Sequence, residues 1–164
     1  MARRIEHRTT SRWPARDVYA ALVDETYLRD RLAELGGTNP ELVAFTATDQ
    51  STSYQLRQGV PADRLPSVAR GLLGGDLVID RAESWTEAGR TGTVEVTLNG
   101  VPGRLDGTIT LADAPGGSEL TLIGQVKVGI PLMGGKLEAL IAEQVALLLD
   151  KESEFTAEWL ARRA

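Results

Sequence analysis

Two side chains in this sequence are of types that could carry acid–base chemistry in an apolar interior. His7 is the only histidine in the 164-residue chain, and an imidazole near its ordinary pKa is suited to act as a general base. Glu152 is a carboxylate among apolar residues, where it could orient a ligand's polar group or have its pKa raised by desolvation. Alternatively, a polar neighbour satisfies His7, and Glu152 is solvated or paired with an arginine. No serine, cysteine or metal-ligand spacing accompanies His7, so we assign no catalytic residue.

Five further residues could orient a ligand through polar or aromatic contacts. In the predicted strand LVIDRAESW, Arg81 and Glu83 lie on the same face as Trp85. If Trp85 faces the interior, the Arg81–Glu83 pair faces it too. Such a pair could hold a ligand's polar group, or it could be a salt bridge at the rim. By the same alternation, Tyr54 in TSYQLRQ could line the wall of an internal ligand site. Gln144 lies at the edge of the apolar stripe on the last predicted helix. Trp85 is either a core residue or a ligand contact.

Composition and motif content exclude several classes of site. The chain has no cysteine and one histidine, which excludes disulfides, thiolate nucleophiles and multi-histidine or cysteine zinc sites. The sequence contains no phosphate loop, dinucleotide fingerprint or HExxH, so we predict no cofactor and no metal. The net charge of −5, and the lack of aromatic residues between the N-terminal arginines, argue against a nucleic-acid partner.

No segment of the sequence has the pattern of a membrane span or an export signal. Even an unbroken apolar run such as Val145–Leu149 is far shorter than the roughly 20 residues that cross a bilayer. The N-terminal MARRIEHRTTSRW has arginines but no apolar segment behind them, so we expect no signal peptide. Together with the absence of cysteine, this predicts a cytoplasmic protein. The sequence leaves the oligomeric state open.

Local patterns predict the elements that would position these side chains. Alternating polarity and turn-forming connections indicate strands at residues 3–12, 42–48, 53–58, 77–86, 91–99, 104–112 and 119–128. Two short helices follow the first strand, one opened by Pro14 and one capped by Asp24, and a short amphipathic helix is expected within Leu65–Gly75. The tight connections between the later strands require antiparallel neighbours. We therefore predict one α+β domain over residues 1–164.

The final predicted helix, Gly134–Leu160, carries an apolar stripe that one carboxylate interrupts. Within one ~80° arc lie Leu137, Ile141, Val145, Leu148, Glu152, Phe155 and Trp159, with Glu143, Asp150 and Glu154 opposite. The stripe therefore faces protein and the acidic face meets water. A long sheet covered by one long helix and two short ones leaves an incompletely filled interior, and such concave apolar spaces bind small ligands.

Three stretches of the sequence resemble a known superfamily. RIEHRTTSRWPARDVYAAL, LVIDRAESW and VKVGIPLMGGKLEALIAEQV are similar in order and spacing to the START-like (SRPBCC) superfamily, whose Bet v 1-type members have a helix-grip fold. The last stretch looks like that of an uncharacterised branch. The resemblance implies a curved antiparallel sheet wrapped around a long C-terminal helix, with an apolar cavity between them. The superfamily contains carriers, sensors and enzymes, so the resemblance does not fix the function.

The main hypothesis is non-catalytic binding, carriage or sensing of a hydrophobic small molecule, lipid or polyketide-like, between the sheet and the last helix. The candidate ligand-binding residues are the apolar Leu137, Ile141, Val145 and Leu148, the aromatic Trp85, and the polar His7, Tyr54, Arg81, Gln144 and Glu152. The glycine-bracketed segment Leu65–Gly75 is either a moving lid or an ordinary connecting helix.

Two alternatives stay open at this point. An enzyme of the cyclase, dehydratase or hydrolase type would use His7 or Glu152 as its acid or base, and both groups would have to approach one cavity. An interaction module would instead have a filled core and an exposed apolar patch. A cavity above about a few hundred Å³, the usual size of ligand sites, would reject the interaction module.

Overall fold

Strands and helices follow one another in the order that the sequence patterns predict. The computed structural model describes residues 2–65 and 67–164, without the side chains of Val68 and Leu72. Within these residues the elements are β1 (Ala2–Ser11), α1 (Ala15–Leu22), α2 (Glu25–Leu35), β2 (Glu41–Ala47), β3 (Ser51–Val60), α3 (Ser67–Leu73), β4 (Leu77–Thr86), β5 (Thr91–Leu98), β6 (Gly103–Ala114), β7 (Gly117–Val128) and α4 (Gly134–Arg163). The predicted α+β class is confirmed.

The seven strands form one curved antiparallel sheet in the order β1-β7-β6-β5-β4-β3-β2. Short turns join β4 to β5, β5 to β6 and β6 to β7, as expected for antiparallel neighbours. β1 pairs with β7, with Ile5 opposite Gly124, and forms one edge. β2 forms the other edge, and its register against β3 shifts between Leu42 and Ala44.

The two short helices after β1 contact both the sheet and α4. Asp24 caps α2 as predicted, because its Oδ1 accepts a hydrogen bond from the Tyr27 amide at 2.9 Å. After α2 the chain passes against β3 at Gly37, which has φ +73°. A Cβ on Gly37 would lie 1.7 Å from the carbonyl oxygen of Gly59. Only glycine therefore fits at position 37, and the close approach of Gly37 to Gly59 fixes the end of α2 against β3.

Helix α4 lies on the inner face of the sheet through its predicted stripe. Leu137 near its start and Phe155 and Trp159 near its end are buried. Ile141 and Val145, on the same stripe between them, are only half-buried. Side chains facing a fully packed core would be covered along the whole stripe, so the middle of α4 borders space that neighbouring side chains do not fill.

Aromatic packing fixes the last turns of α4 against α2. The ring centroid of Tyr27 lies 5.3 Å from that of Trp159, in an edge-to-face arrangement, and 5.8 Å from that of Phe155. Such pairs contribute about 0.5–1.5 kcal/mol beyond their buried area. Because Glu152 precedes Phe155 by one turn, this contact also sets the position of Glu152 on the helix.

The predicted short helix within Leu65–Gly75 corresponds to α3. Leu65 is buried and Ala69 is half-buried. Pro66 and the side chains of Val68 and Leu72, which belong to this predicted segment, lie outside the described residues. Among the residues that are described, no helix combines the length and the apolarity that a membrane crossing requires.

Candidate functional site

A cavity of about 300 Å³ lies between α4 and the sheet, here called the helix–sheet cavity. Its walls come from α4, from the inner face of β3 to β7, and from the segment that contains α3. Five predicted ligand-binding residues line it, namely Leu137, Ile141, Gln144, Val145 and Leu148, together with sheet residues such as Gln58, Ile79, Val96, Leu105, Val126 and Val128. The half-buried middle of α4 therefore faces this cavity.

The helix–sheet cavity reaches the protein surface along one side of α4. Gln144 and Lys151 are exposed, and Leu147 exposes 49% of its surface, yet all three line the cavity. Arg64, in the turn between β3 and α3, is a further exposed lining residue. The cavity therefore meets solvent between α4 and the β3–α3 connection.

A buried ion cluster lies further along α4. Arg81 of β4 donates from Nη1 and Nη2 to the two carboxylate oxygens of Glu152, at 2.8 and 3.1 Å. Its Nε donates to Oε2 of Glu83 at 2.6 Å. All three residues are at most 7% exposed. The Arg81–Glu83 pair is therefore internal, and the alternative of a salt bridge at the rim is excluded.

Tyr54 and Trp85 extend this ion cluster by hydrogen bonds. The Tyr54 hydroxyl donates to Oε1 of Glu83 at 2.9 Å, and the Trp85 indole N–H donates to the same oxygen at 3.0 Å. Both carboxylate oxygens of Glu83 are thereby used. Because buried polar groups are costly unless they are hydrogen-bonded, these contacts stabilise a charged glutamate inside the sheet.

Arg31 of α2 is a second cation beside Glu152, and it is less completely paired than Arg81. Its Nη1 lies 3.6 Å from Oε1 of Glu152, and its guanidinium lies 5.4 Å from the centroid of the Tyr27 ring. Its Nη2 is buried and has no hydrogen-bond partner among the described residues. Two guanidinium groups, of Arg31 and Arg81, thus balance the two carboxylates of Glu83 and Glu152.

The pKa values of this cluster follow from burial and charge. Burial opposes ionisation of Glu152, but the charges of Arg31 and Arg81 outweigh it, so the net effect lowers the pKa of that carboxyl. Burial, and then the negative charge of Glu83, raises the pKa of the Tyr54 hydroxyl well above its ordinary value. At neutral pH Glu152 is therefore ionised, and the Tyr54 hydroxyl keeps its proton.

A second, much smaller cavity of about 40 Å³ adjoins this ion cluster. Arg31, Arg81, Glu83, Trp85 and Glu152 all border it, as does Ser118, whose buried hydroxyl has no partner among the described residues. The space is enough for about one to three water molecules and too small for a drug-sized ligand. Trp85, Arg81 and Glu152 therefore lie beside this small space, and neither they nor Tyr54 line the helix–sheet cavity.

His7 lies away from both cavities. Its Nε2 is 2.8 Å from Oδ1 of Asp150, on the solvent-facing side of α4. The His7 side chain is 25% exposed and that of Asp150 is 54% exposed. This differs from the expected ligand-facing position, because the imidazole reaches the flank of α4 rather than its inner face. His7 and Glu152 do not meet in one cavity.

Sequence reasoning missed two buried charged residues. Arg31 follows Tyr27 and Leu28 by one helical turn, so helical spacing places it on the buried face of α2. Glu138 follows the buried Leu137 directly, and its Oε2 accepts a hydrogen bond from the Val128 amide at 2.8 Å. The spacing could have identified Arg31, but no local pattern distinguishes Glu138 from a surface acid.

Among residues 2–65 and 67–164, no group of three or more histidine, aspartate or glutamate side chains is arranged to hold a metal ion.

The curved antiparallel sheet around a long C-terminal helix is a helix-grip fold. Among the solved structures that share this fold are two that match most of the chain. The Zhui aromatase/cyclase from Streptomyces sp. R1128 has a TM-score of 0.61 at 16% identity, over 99% of this chain and 96% of that chain. A START superfamily protein from Mycobacterium smegmatis has a TM-score of 0.57 at 16% identity, over 92% and 97% of the two chains.

At the level of sequence, the chain belongs to the family described as protein of unknown function (DUF2505), whose model matches residues 6–160. It is 32% identical over 154 residues to an uncharacterized protein from Mycobacterium tuberculosis, and the match covers 88% of each chain.

Proposed function

We propose that this protein binds a hydrophobic small molecule, lipid or polyketide-like, in the helix–sheet cavity and catalyses no reaction on it. One observation carries the proposal: a space of about 300 Å³ bordered mainly by apolar side chains of the sheet and α4. This volume is at the lower end of the usual range for ligand sites, about 300–1,000 Å³. Leu137, Ile141, Val145 and Leu148 supply the apolar contacts from the helix.

Burial of apolar surface is sufficient to drive such binding. Each Å² removed from water contributes about 25 cal/mol, before the cost of immobilising the ligand is subtracted. Ile141 and Val145 are only half-buried, so part of their apolar surface remains accessible in the cavity. A bound ligand covers that surface. The interaction module with a filled core is disfavoured for the same reason.

The positions of the candidate acid and base argue against an enzyme. Both oxygens of Glu152 are held by Arg81, and its lowered pKa keeps it ionised, so it is a poor proton donor and a base with no free oxygen. His7 pairs with Asp150 outside both cavities. We therefore propose that Arg81 and Glu152 stabilise the helix on the sheet, although the sequence made them candidate ligand contacts.

The segment Leu65–Gly75 forms part of the cavity wall through Leu65, Ala69 and Leu73. Gly74, at its end, has φ +66° and open space around it. We propose that this wall moves when a ligand enters, since glycine accommodates large changes in φ and ψ.

Ligand binding is testable without knowing the natural ligand. The purified chain is analysed by native mass spectrometry, and uptake of an apolar fluorescent dye is measured with and without competing fatty acid. We expect either a co-purified species or saturable dye uptake of one molecule per chain that fatty acid reverses. A chain that carries no bound species and takes up neither probe would refute the proposal.

A further inference from the structure

The charged residues that border the helix–sheet cavity are all positive. Its charged lining residues are Arg64, Arg104 and Lys151, and no acidic residue lines it among the described residues. This is unusual in a chain whose net charge is −5. The bias is therefore local to the cavity and does not follow from composition.

Arg64 and Lys151 differ from Arg104 in having no counter-ion. Arg104 is followed by the inward-facing Leu105 and lies on the outer face of the sheet, where it pairs with Asp106 at 2.8 Å. Neither Arg64 nor Lys151 lies within 4 Å of an acidic group among the described residues. At the opening of the cavity there are thus two cations that form no ion pair with a described carboxylate.

Inside the cavity, one buried amide is available to a ligand. Gln58 is 7% exposed, lines the cavity, and makes no side-chain hydrogen bond with a described residue. It lies on the same face of β3 as Leu56, six residues before Arg64. Its amide atoms are not among the side-chain atoms that are both fully buried and unpartnered, so they are accessible from the cavity. A ligand oxygen that accepts a hydrogen bond from the NH₂ group would take the place of solvent there.

We propose that the ligand is an amphipathic anion, with an apolar body in the helix–sheet cavity and one carboxylate or phosphate head. The Gln58 NH₂ group donates to an oxygen of the head, and Arg64 and Lys151 supply the positive charge that favours an anion over a neutral head. This inference rests on the proposed binding function and adds the chemical class of the ligand.

The test compares three ligands with the same alkyl chain: decanoate, decyl phosphate and the neutral decanamide, each by displacement of a cavity-bound dye. In about 0.01 M salt, where the screening length is about 30 Å, we expect both anions or one of them to bind about fivefold or more tightly than decanamide. In about 1 M salt, where this length is about 3 Å, the preference should largely disappear.

Each outcome has a separate meaning. A preference for decanoate assigns a carboxylate head, and a preference for decyl phosphate assigns a phosphate head. If decanamide binds as tightly as both anions at low salt, the anionic ligand class is wrong while the binding function stands. If the dye and all three compounds fail to bind, the binding function itself is wrong.

Variants localise the effect to the cavity. Lys151→Met and Arg64→Gln should each reduce the ratio of anion affinity to decanamide affinity about twofold or more. Lys136→Met is the matched control, because Lys136 is exposed on the same helix, carries the same charge, and does not line the cavity. If Lys136→Met reduces the preference as much as Lys151→Met does, net charge and not the cavity opening explains it, and the assignment is overturned.

Discussion

Arg81 and Glu152 are 71 residues apart in sequence and are joined in the fold by two parallel hydrogen bonds of 2.8 and 3.1 Å. Their side chains are 8% and 6% exposed. The pair connects β4, in the interior of the sheet, to α4, and so fixes the helix at the end of the helix–sheet cavity. Bidentate contacts between a guanidinium and a carboxylate are geometrically specific, so this pair sets both the depth and the rotation of α4.

The first prediction compares how much each of the two arginines beside Glu152 contributes to the free energy of unfolding. Arg81→Met should lower the free energy of unfolding by about 3–5 kcal/mol, because it removes three hydrogen bonds to the buried carboxylates of Glu83 and Glu152 as well as a positive charge. Arg31→Met should cost about 1–2 kcal/mol, because Arg31 approaches Glu152 only to 3.6 Å and one of its terminal nitrogens is already unpaired. Urea unfolding, followed by tryptophan fluorescence, measures both.

The control for this ranking is the double variant Arg81→Met, Glu152→Met. It removes one positive and one negative charge and leaves Arg31 and Glu83, so the cluster stays neutral. We expect it to be more stable than Arg81→Met alone. Equal costs for Arg31→Met and Arg81→Met would contradict the pairing described here.

A second prediction concerns acid. The folded-state pKa of Glu152 is lowered, because its two arginine neighbours outweigh the effect of burial. A carboxyl whose pKa is lower when folded than when unfolded contributes stability above its unfolded pKa, about 4.3, and loses that contribution as the pH falls through the folded value. The difference in free energy of unfolding between the wild type and Glu152→Gln should therefore be constant from pH 7 to about 5 and shrink below that. A difference that stays constant down to pH 2 would mean that Glu152 is not held as an ion.

Most of the fold was predictable, because it depends on periodic patterns. Alternation over Leu77–Thr86 predicted a strand with the bounds that β4 has. The stripe from Leu137 to Trp159 predicted the inner face of α4, since a helix brings residues three and four apart to the same side. The later strands differ from their predicted ends by at most two residues, because turn residues can continue a ladder by one or two hydrogen bonds.

The candidate site was less predictable, because it depends on contacts between residues distant in sequence. The alternation in LVIDRAESW placed Arg81 on the Trp85 face but left open whether the ion pair was internal or at the rim. That depended on Glu152, 71 residues away, and on Arg31 from another helix. His7 was expected to face inward like Ile5, but β1 is an edge strand beside α4, so an inward direction there leads to the flank of the helix and to Asp150.

A third prediction concerns the three tyrosines of the chain. Burial raises the pKa of Tyr19, Tyr27 and Tyr54, and the charge of Glu83 raises that of Tyr54 further. Spectrophotometric titration of the folded protein should therefore show no tyrosinate with a midpoint at or below about 10, the ordinary value. Because the folded pKa values are the higher ones, the stability linked to these groups is complete below pH 10 and is lost as the pH rises through the folded values.

Tyr54→Phe is the informative variant for this titration. It removes the tyrosine whose pKa Glu83 raises, so the part of the absorbance change that occurs at the highest pH should disappear. If the absorbance change that Tyr54→Phe removes instead has its midpoint at the ordinary value in the wild type, the interior around β3 and β4 is open to solvent.

The last prediction tests whether the helix–sheet cavity is unfilled in solution. Leu148→Trp places a larger apolar side chain at a half-buried lining position. If the space is available, the new ring fills it and raises the free energy of unfolding by about 0.5–2 kcal/mol, while dye and decanoate binding weaken about tenfold or more. Leu132→Trp is the matched control, because Leu132 is fully exposed and lies outside the cavity, so the same substitution there should change neither quantity. If the sheet closes onto α4 in solution, Leu148→Trp instead overpacks the interior and costs about 1–3 kcal/mol. The sign of the change therefore distinguishes a preformed binding space from a core that has collapsed.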